Sequence, residues 1–545
     1  MRIDDPTPGS ASLPREASAS PQPAVEFSFE PLTPTSFLTR SAIVHRDRLA
    51  VFDGGLRLTY SELRERAGRF AGALEALGVE PGGRVAVIAA NSHLMLEAHY
   101  GVPLAGAVLV ALNMRLSPGE LGYILDHSGA TVLLCDNELQ SLAGDAIAAS
   151  SGAARLVNAT QYAELIERSS FVWRGVPDER GLLSINYTSG TTGRPKGVMY
   201  HHRGAYLQSL AMAFHARLHP ESVFLWTLPM FHCNGWCFTW AVTAAGAQHV
   251  CLPRPDPEAI WRLIDEAGVT HFNAAPTVLT DLAGHPAAHR PDRPIHIATG
   301  GAPPSPALMG RFAALGIEIT HLYGLTESFG PVVICDWKAE WDELPAERRA
   351  QLKARQGVGN VIAQPVRVVG PHGSDVPADG ETLGEIVLRG NDLMLGYFQD
   401  PEATAAAVPD GWFHTGDLGV MHPDGYVELR DRLKDVIISG GENIASVEVE
   451  QAVASHPAVL EVAVVARPDR RFGERPVAFV RLVPGGEASE AEIIEHVRTR
   501  LARFKAPSEV VFRSELPRTA TGKIQKFVLR TQLSQALGGQ DQIER

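Results

Sequence analysis

Helical and strand-like runs alternate along most of the chain. Thr59 and Glu62 precede Leu63, Ala67, Phe70, Leu74 and Leu77, apolar positions at helical spacing that end at Gly78. This pattern predicts an amphipathic helix opened by a capping box. A strand-like run, Arg84 to Ala89, follows. Ser117, Pro118 and Glu120 open a second helix before the apolar run Thr131 to Cys135. Asp256 with Pro257 opens a third, which stops at Gly268 ahead of the run His271 to Ala274. Short apolar strands separated by helices predict buried, largely parallel sheets covered by helices, and so an α/β fold. After about Arg432 the pattern changes. Val459 to Ala466 and Pro476 to Val483 read as strands and Glu490 to Phe504 as an amphipathic helix, which together predict a separate small α+β domain.

Composition narrows the function classes. With 545 residues, 45% of them hydrophobic, the chain can fill roughly three to four average domains. Lys and Arg number 49 against 62 Asp and Glu, a net charge of −13, and no basic block is present to track a nucleic-acid backbone. A nucleic-acid partner is not expected. Cys135, Cys233, Cys237, Cys251 and Cys335 lack zinc-type spacing and fit buried free thiols in a reducing compartment. Residues 1 to 30, rich in Pro, Ser and Ala, lack the apolar run of a secretory signal and read as a disordered leader. Gly101 to Leu112 is too short to cross a bilayer and follows Glu97 and His99, so it is assigned to the core and no membrane span is expected. The end of the chain, Gln542 to Arg545, lacks a peroxisomal tripeptide, and the expected compartment is the cytoplasm.

The chemistry concentrates first in Tyr187 to Gly197, YTSGTTGRPKG. Gly190, Gly193 and Gly197 permit tight turns and close backbone approach to an anion. Thr188, Ser189, Thr191 and Thr192 offer hydroxyls, and Lys196 adds positive charge. The string is not a P-loop, because Arg194 and Pro195 intervene before Lys196. A solvated Gly/Ser/Thr loop has the same composition, so the string needs company to be read as a phosphate cradle.

That company is present. GGAP at Gly300 to Pro303, YGLTE at Tyr323 to Glu327, TGD at Thr415 to Asp417, DRLKD at Asp431 to Asp435, SGGENI at Ser439 to Ile444 and PRTATGKIQK at Pro517 to Lys526 follow in order. The set resembles the adenylate-forming superfamily, which contains acyl-CoA synthetases, peptide-synthetase adenylation domains and luciferases. The resemblance implies a large N-terminal domain of several layered sheet-and-helix subdomains, with a smaller β element near residues 360 to 430, and a small mobile C-terminal α+β domain. The expected division is 1–30 leader, 31–433 adenylation domain and 434–545 mobile domain, with Lys434, two residues after Arg432, as the hinge.

The chemical problem explains the residue types. A carboxylate is a poor acyl donor to a thiol until it becomes a mixed anhydride with AMP, and forming that anhydride brings two anions together, which calls for a divalent metal and fixed cations. By resemblance, Lys523 bridges the acyl carboxylate and the α-phosphate, and Glu327 with Thr188 attends Mg2+. Thr188, Ser189, Gly190, Thr191, Thr192, Gly193 and Lys196 cradle the phosphates. Gly301, Ala302, Tyr323, Gly324 and Thr326 surround the adenine and acyl-phosphate region, with Tyr323 stacking on the base. Asp417 takes both ribose hydroxyls, since one carboxylate offers two acceptor oxygens, and Arg432 is its ribose or phosphate partner. After rotation of the small domain, Gly440 and Gly441 border the pantetheine tunnel of CoA. Lys505 reads equally well as a solvated lysine or a CoA-phosphate contact and is not assigned to the site.

The segment PMFHCNGWCFTW, Pro229 to Trp240, falls where family members shape the acyl pocket, so His232 and Trp236, with Gly301, are the expected pocket residues. His232 stands where amino-acid adenylation domains place an aspartate near the substrate ammonium, which argues against an amino-acid substrate. Asp336 to Val358, with Trp337, Trp341 and KARQGV, resembles acyl-activating enzymes that include 3-methylmercaptopropionyl-CoA ligase and short-chain or benzoyl-type CoA ligases. The expected activity is acid–CoA ligation of a short- to medium-chain acid, with branched, thioether and aryl acids in scope, using ATP, CoA and Mg2+. A stand-alone enzyme loading an acyl-carrier protein is the enzymatic alternative, and a nonenzymatic nucleotide-binding scaffold the other. The oligomeric state stays open, with a homodimer the form considered.

Overall fold

The computed structural model describes residues 30–151, 154–188, 194–432, 435–439, 442–469, 472–518 and 524–540, the side chains of 443 and 534–540 excepted. All but the last residue of the expected leader lies outside these ranges. The anticipated capping box forms, and a second one forms beside it. Thr59 and Glu62 cap the helix Tyr60–Ala76, and Ser117 and Glu120 cap Pro118–Ser128, each side chain accepting the other's backbone N–H. In both helices two amide donors that the first turn leaves without intrahelical partners are satisfied.

Two large sheets carry the N-terminal part. One has seven strands, with a parallel core of Val108–Ala111, Arg84–Ile88, Ala130–Cys135 and Arg155–Asn158. The other has nine, and its parallel centre runs Gln248–Cys251, Val223–Trp226, His271–Ala274, His296–Thr299 and Glu318–Leu325. The largest apolar cluster joins them through the helices Tyr60–Ala76, His93–Leu104 and Phe238–Ala245. Gly101 to Leu112 is buried as expected, and the polar residues before it are managed locally. Glu97 is fully buried, accepting from Arg66 Nε at 2.6 Å and from the Tyr162 hydroxyl. His99 is held neutral, its pKa pushed down to about 4 by burial. All five cysteines are buried, and none forms a disulfide.

A four-stranded antiparallel sheet, Arg367–Val369, Gly384–Leu388, Phe413–Met421 and Val427–Arg432, forms the expected β element. Beyond it, Val459–Asp469 and Gly473–Leu482 pair antiparallel in a five-stranded sheet packed by the helices Ser446–Ala454 and Glu490–Arg498. The helix Glu490–Arg498 is shorter than the periodicity predicts. It ends at Arg498, where Thr499 caps it, and Arg503–Lys505 forms a separate 3-10 turn after Ala502 leaves the helical region. Among the described residues no helix is long and apolar enough to cross a membrane.

One buried acid bears on stability. Asp392 is fully buried; its Oδ2 accepts from Asn360 Nδ2 at 3.1 Å, while Oδ1 has no hydrogen-bond partner among the described residues. Burial pushes its pKa up to about 7. Between the unfolded carboxylate value and about 7 the folded state therefore holds a proton that the unfolded state does not, and stability falls as pH rises through that window. Asp392→Asn should raise the melting temperature at pH 8, by on the order of a few kcal/mol of stability, with the gain shrinking below pH 7. A gain independent of pH would contradict this assignment.

Candidate active site

The two strands around the glycine-rich string, Leu182–Thr188 and Lys196–His201, pair antiparallel with Thr188 opposite Lys196. Ser189, Gly190, Thr191, Thr192 and Gly193 lie outside the described residues. At the base of this loop Lys196 Nζ sits 4.7 Å from the centre of the Tyr397 ring. The Tyr397 hydroxyl donates to Glu327 Oε1 at 2.8 Å. Burial and the Glu327 carboxylate both raise the pKa of this phenol, so it stays a donor. Glu327 lies in the 3-10 turn Thr326–Ser328, which is pinned on both sides: Tyr200 Oη donates to the Thr326 carbonyl at 2.6 Å, and the Met394 N–H to that of Glu327 at 2.8 Å. A carboxylate so fixed needs no reorganisation to meet charge.

A second cluster adjoins it. Tyr323, at the site end of Glu318–Leu325, donates its hydroxyl to Asp417 Oδ2 at 2.8 Å. Asp417 and Arg432 are cross-strand partners, and Arg432 Nε lies 3.0 Å from Asp417 Oδ1. That oxygen is buried yet accepts no well-aligned hydrogen bond among the described residues, while the Arg432 side chain is 40% exposed. Burial, the largest single influence, would lower the Arg432 pKa; Asp417, Tyr323, Asp435 and Glu327 together outweigh it, and the net shift is upward. The two clusters thus share one electrostatic environment. Gly324 and Thr326, on the short path between Tyr323 and Glu327, are half-buried within it.

The third part is a cavity of about 360 Å³, counted to its open mouth, bounded by Asn186, Tyr187, His232, Cys233 and Thr326. His232 therefore faces the space beside the phosphate-loop strand. The residues after it adopt an unusual backbone: Cys233, Asn234, Gly235, Trp236 and Cys237 all have φ between 50° and 63°, a turn of left-handed helix. Four of these are not glycine, and each costs roughly 1–2 kcal/mol in that region. Surrounding contacts enforce it. Asn234 Oδ1 accepts from Ser184 Oγ at 3.0 Å and Asn186 Nδ2 at 2.8 Å, and a Cβ on Gly235 would come within 2.5 Å of the Trp226 ring. Strain of this kind is held where a site is over-determined. Trp236 is 5% exposed and does not border the cavity; its ring tip lies 3.2 Å from where a Cβ on Gly300 would be. Gly301 and Ala302 beyond are exposed.

Of the site residues expected from the motifs, Lys434, Gly440, Gly441 and Lys523 also lie outside the described residues. Arg518 and Ile524, on either side of the Lys523 segment, pair across an antiparallel bridge. Lys505 is half-buried and ion-paired: its Nζ contacts both oxygens of Glu448, at 2.7 and 2.8 Å. Tyr397 and Asn234 are residues that motif reading did not single out. A lone tyrosine after glycine carries no local signal, since its partner Glu327 is 70 positions away.

Mg2+ prefers oxygen ligands, keeps several waters and is held through one or two carboxylates plus substrate phosphates. Among the described residues no group of three or more His, Cys, Asp or Glu forms an all-protein cage. A single fixed carboxylate, Glu327, fits an ion shared with a triphosphate.

Comparison with known proteins agrees with this geometry. The AMP-binding enzyme family matches residues 38–398, and the AMP-binding enzyme C-terminal domain matches 448–523. The 2-methylpropanoate–CoA ligase of Humulus lupulus is 45% identical, over 94% of this chain and 96% of its own. An acetate/butyrate–CoA ligase of Arabidopsis thaliana, peroxisomal by name, is 42% identical over 93% and 96%. ATP-bound MatB from Rhodopseudomonas palustris superposes with a TM-score of 0.82 at 28% identity, covering 91% of this chain and 98% of that one. The chain belongs to the AMP-binding enzyme family, and with it to the adenylate-forming superfamily.

Proposed function

We propose that the protein is an acid–CoA ligase that converts a short- to medium-chain carboxylic acid and ATP to an acyl-adenylate, then passes the acyl group to CoA, releasing AMP and pyrophosphate. The observation that carries this reading is the Tyr323–Asp417–Arg432 group sharing its electrostatics with Glu327 at the foot of the glycine-rich hairpin. The identity to two acid–CoA ligases along nearly the whole chain supports the second half-reaction.

In this reading Asp417 Oδ1, a buried acceptor lacking a hydrogen bond among the described residues, takes a ribose hydroxyl, and Arg432 turns its exposed guanidinium to the ribose or phosphate. The strand end at Tyr323 with Gly301 and Ala302 borders the adenine. The hydroxyl and amide groups of Thr188 to Gly193 and the Lys196 ammonium hold the phosphates. Glu327 and Thr188 would hold Mg2+, which when bound neutralises phosphate charge and polarises the α-phosphate. Lys523 draws the acid's carboxylate and the α-phosphate together, and the carboxylate oxygen attacks phosphorus as pyrophosphate leaves in line. The acid lies in the cavity by His232.

For the thiol step we propose rotation about Lys434, dividing the chain at 433/434 and bringing Gly440 and Gly441 to the pantetheine. On the small-domain side Asp435 accepts from Arg530 at 2.6 Å, within that domain, while Asp431 on the other side accepts from Ser446 Oγ at 3.0 Å across the boundary, a contact that the rotation would have to break. Five buried cysteines without a disulfide support a reducing compartment, for which we propose the cytoplasm.

Acid-dependent exchange of labelled pyrophosphate into ATP, run without CoA, tests the first half-reaction by itself. The expected result is exchange with butanoate or 2-methylpropanoate that needs Mg2+. Exchange that is absent with every acid, although ATP binds, would overturn the reading in favour of a nucleotide-binding scaffold.

A further inference from the structure

The Lys196 ammonium and the Glu327 carboxylate carry opposite charges in one half-buried site, and among the described residues neither makes an ion pair. Two such groups left to face each other would close into a pair, because partial burial strengthens their attraction. One side chain engages both. Lys196 Nζ lies over the face of the Tyr397 ring, 4.7 Å from its centre, and the hydroxyl of the same ring donates to Glu327 Oε1 at 2.8 Å. A phenol can satisfy both charges at once: its face carries the negative side of the ring quadrupole and attracts a cation, while its O–H donates to an anion. Glu327 Oε2 accepts no hydrogen bond among the described residues, so one oxygen is held and the other is left over.

The backbone fixes this arrangement. Gly396–Tyr397 is a short strand that pairs antiparallel with Lys196–His201, Tyr397 opposite Val198. Lys196 is two residues from Val198 and so on the same face of the sheet, diagonal to Tyr397. The N–H groups of Leu395 and Phe398 donate to the carbonyls of Met199 at 2.9 Å and Gly197 at 2.7 Å, and the Tyr397 N–H donates to Thr404 Oγ1 at 2.9 Å. The Met394 N–H holds the Glu327 carbonyl at 2.8 Å. One stretch of five residues, Met394 to Phe398, is thus bonded both to the strand of Lys196 and to the turn of Glu327, with Tyr397 on it. The residue before the tyrosine has no room for a side chain: a Cβ on Gly396 would lie 2.7 Å from Thr404 Cγ2.

We propose that Tyr397 is a positioning residue that keeps Lys196 and Glu327 from pairing with each other, so that the ammonium stays available to the triphosphate and the carboxylate to Mg2+. This rests on the proposed roles of Lys196 as a phosphate ligand and of Glu327 as the residue attending the metal. Losing the hydroxyl releases Glu327 but leaves the ring beneath Lys196. Losing the ring lets the two charges meet.

Calorimetric ATP binding, once with Mg2+ and once with EDTA, reads both roles without turnover. Tyr397→Phe should keep the affinity in EDTA within about 2-fold of wild type and cut the gain on adding Mg2+ by about 10-fold, the loss of one hydrogen bond to a charged group. Tyr397→Leu should in addition weaken binding in EDTA by about 10-fold, and Tyr397→Met serves if the leucine variant does not fold. The decisive comparison is a cycle with Glu327→Gln, which removes the charge that would capture Lys196. In EDTA that substitution should tighten ATP binding at least about 5-fold more in the Tyr397→Leu background than in wild type, because only there does the carboxylate hold the ammonium. Equal effects in the two backgrounds overturn the separation of charges, since lost packing would not be relieved by neutralising Glu327. Tyr397→Phe with the wild-type gain from Mg2+ overturns the positioning of Glu327. Lys196→Met binding ATP as wild type does, or Glu327→Gln with the wild-type gain from Mg2+, refutes instead the phosphate and metal assignments beneath the proposal.

Discussion

Lys523→Ala should abolish acid-dependent pyrophosphate release while sparing most thioester formation from supplied acyl-adenylate. The first half-reaction brings a carboxylate up to a polyphosphate, and one ammonium bridging both is effective because it acts on the charge where it changes. Removing a charge-stabilising donor of this kind costs on the order of 10²–10³-fold, and more where the repulsion is between two anions. Lys523→Arg should not rescue the rate, because a planar fork does not replace a compact point charge on a flexible stem. In the second half-reaction the anhydride already exists and the thiol approaches a neutral carbonyl, so the cation is dispensable. Equal loss in both half-reactions would mean that Lys523 serves the fold or CoA instead. Acetylation of Lys523 removes the same charge and should have the same one-sided effect.

Gly324→Ala should cost at least about 100-fold in kcat/KM through displacement alone. A Cβ there would lie 1.8 Å from the Gly330 carbonyl oxygen, 2.6 Å from its carbon and 2.9 Å from Pro331 Cα, all backbone atoms of the paired strand. No rotamer change can relieve the contact. The register already shifts between Tyr323 and Gly324, so the two strands must part where the site residues sit. Tyr323 would move relative to Asp417, and Glu327 relative to Tyr397. Steady-state kinetics beside Gly144→Ala, a helical glycine with open space around it, separates this from a general effect of added methyls. Wild-type kcat/KM in Gly324→Ala would show that the strand ends tolerate displacement and that the site geometry is not set there.

Local signals carry the secondary structure far. Capping pairs such as Thr59 with Glu62 work within one turn, so the residues that set the helix start are adjacent in sequence. Periodicity overextends the helix after Ser489 because apolar spacing persists to Phe504, whereas the chain leaves the helix after Arg498 and turns before Pro507. Motif order leads to Tyr323, Glu327, Asp417 and Arg432, and the structure brings these together. It cannot lead to Tyr397, whose role as Glu327's donor and Lys196's aromatic partner depends on strands far apart in the chain. Nor can it reveal the left-handed turn at Cys233 to Cys237. Asn and Gly tolerate that region but Cys and Trp rarely adopt it, and here buried hydrogen bonds from Ser184 and Asn186 accompany it. Lys505 shows the converse: a lysine that reads as solvated is held by Glu448.

The central claim is that one chain activates a carboxylic acid as its adenylate and transfers it to CoA. The most direct measurement is mass spectrometry of products from purified protein with ATP, Mg2+ and CoA over straight-chain, branched, thioether and aryl acids, with AMP and pyrophosphate counted in the same reactions. The predicted result is one acyl-CoA, one AMP and one pyrophosphate per turnover, for a cluster of short- to medium-chain acids. Acid-dependent pyrophosphate without thioester, restored only by an acyl-carrier protein, would contradict it.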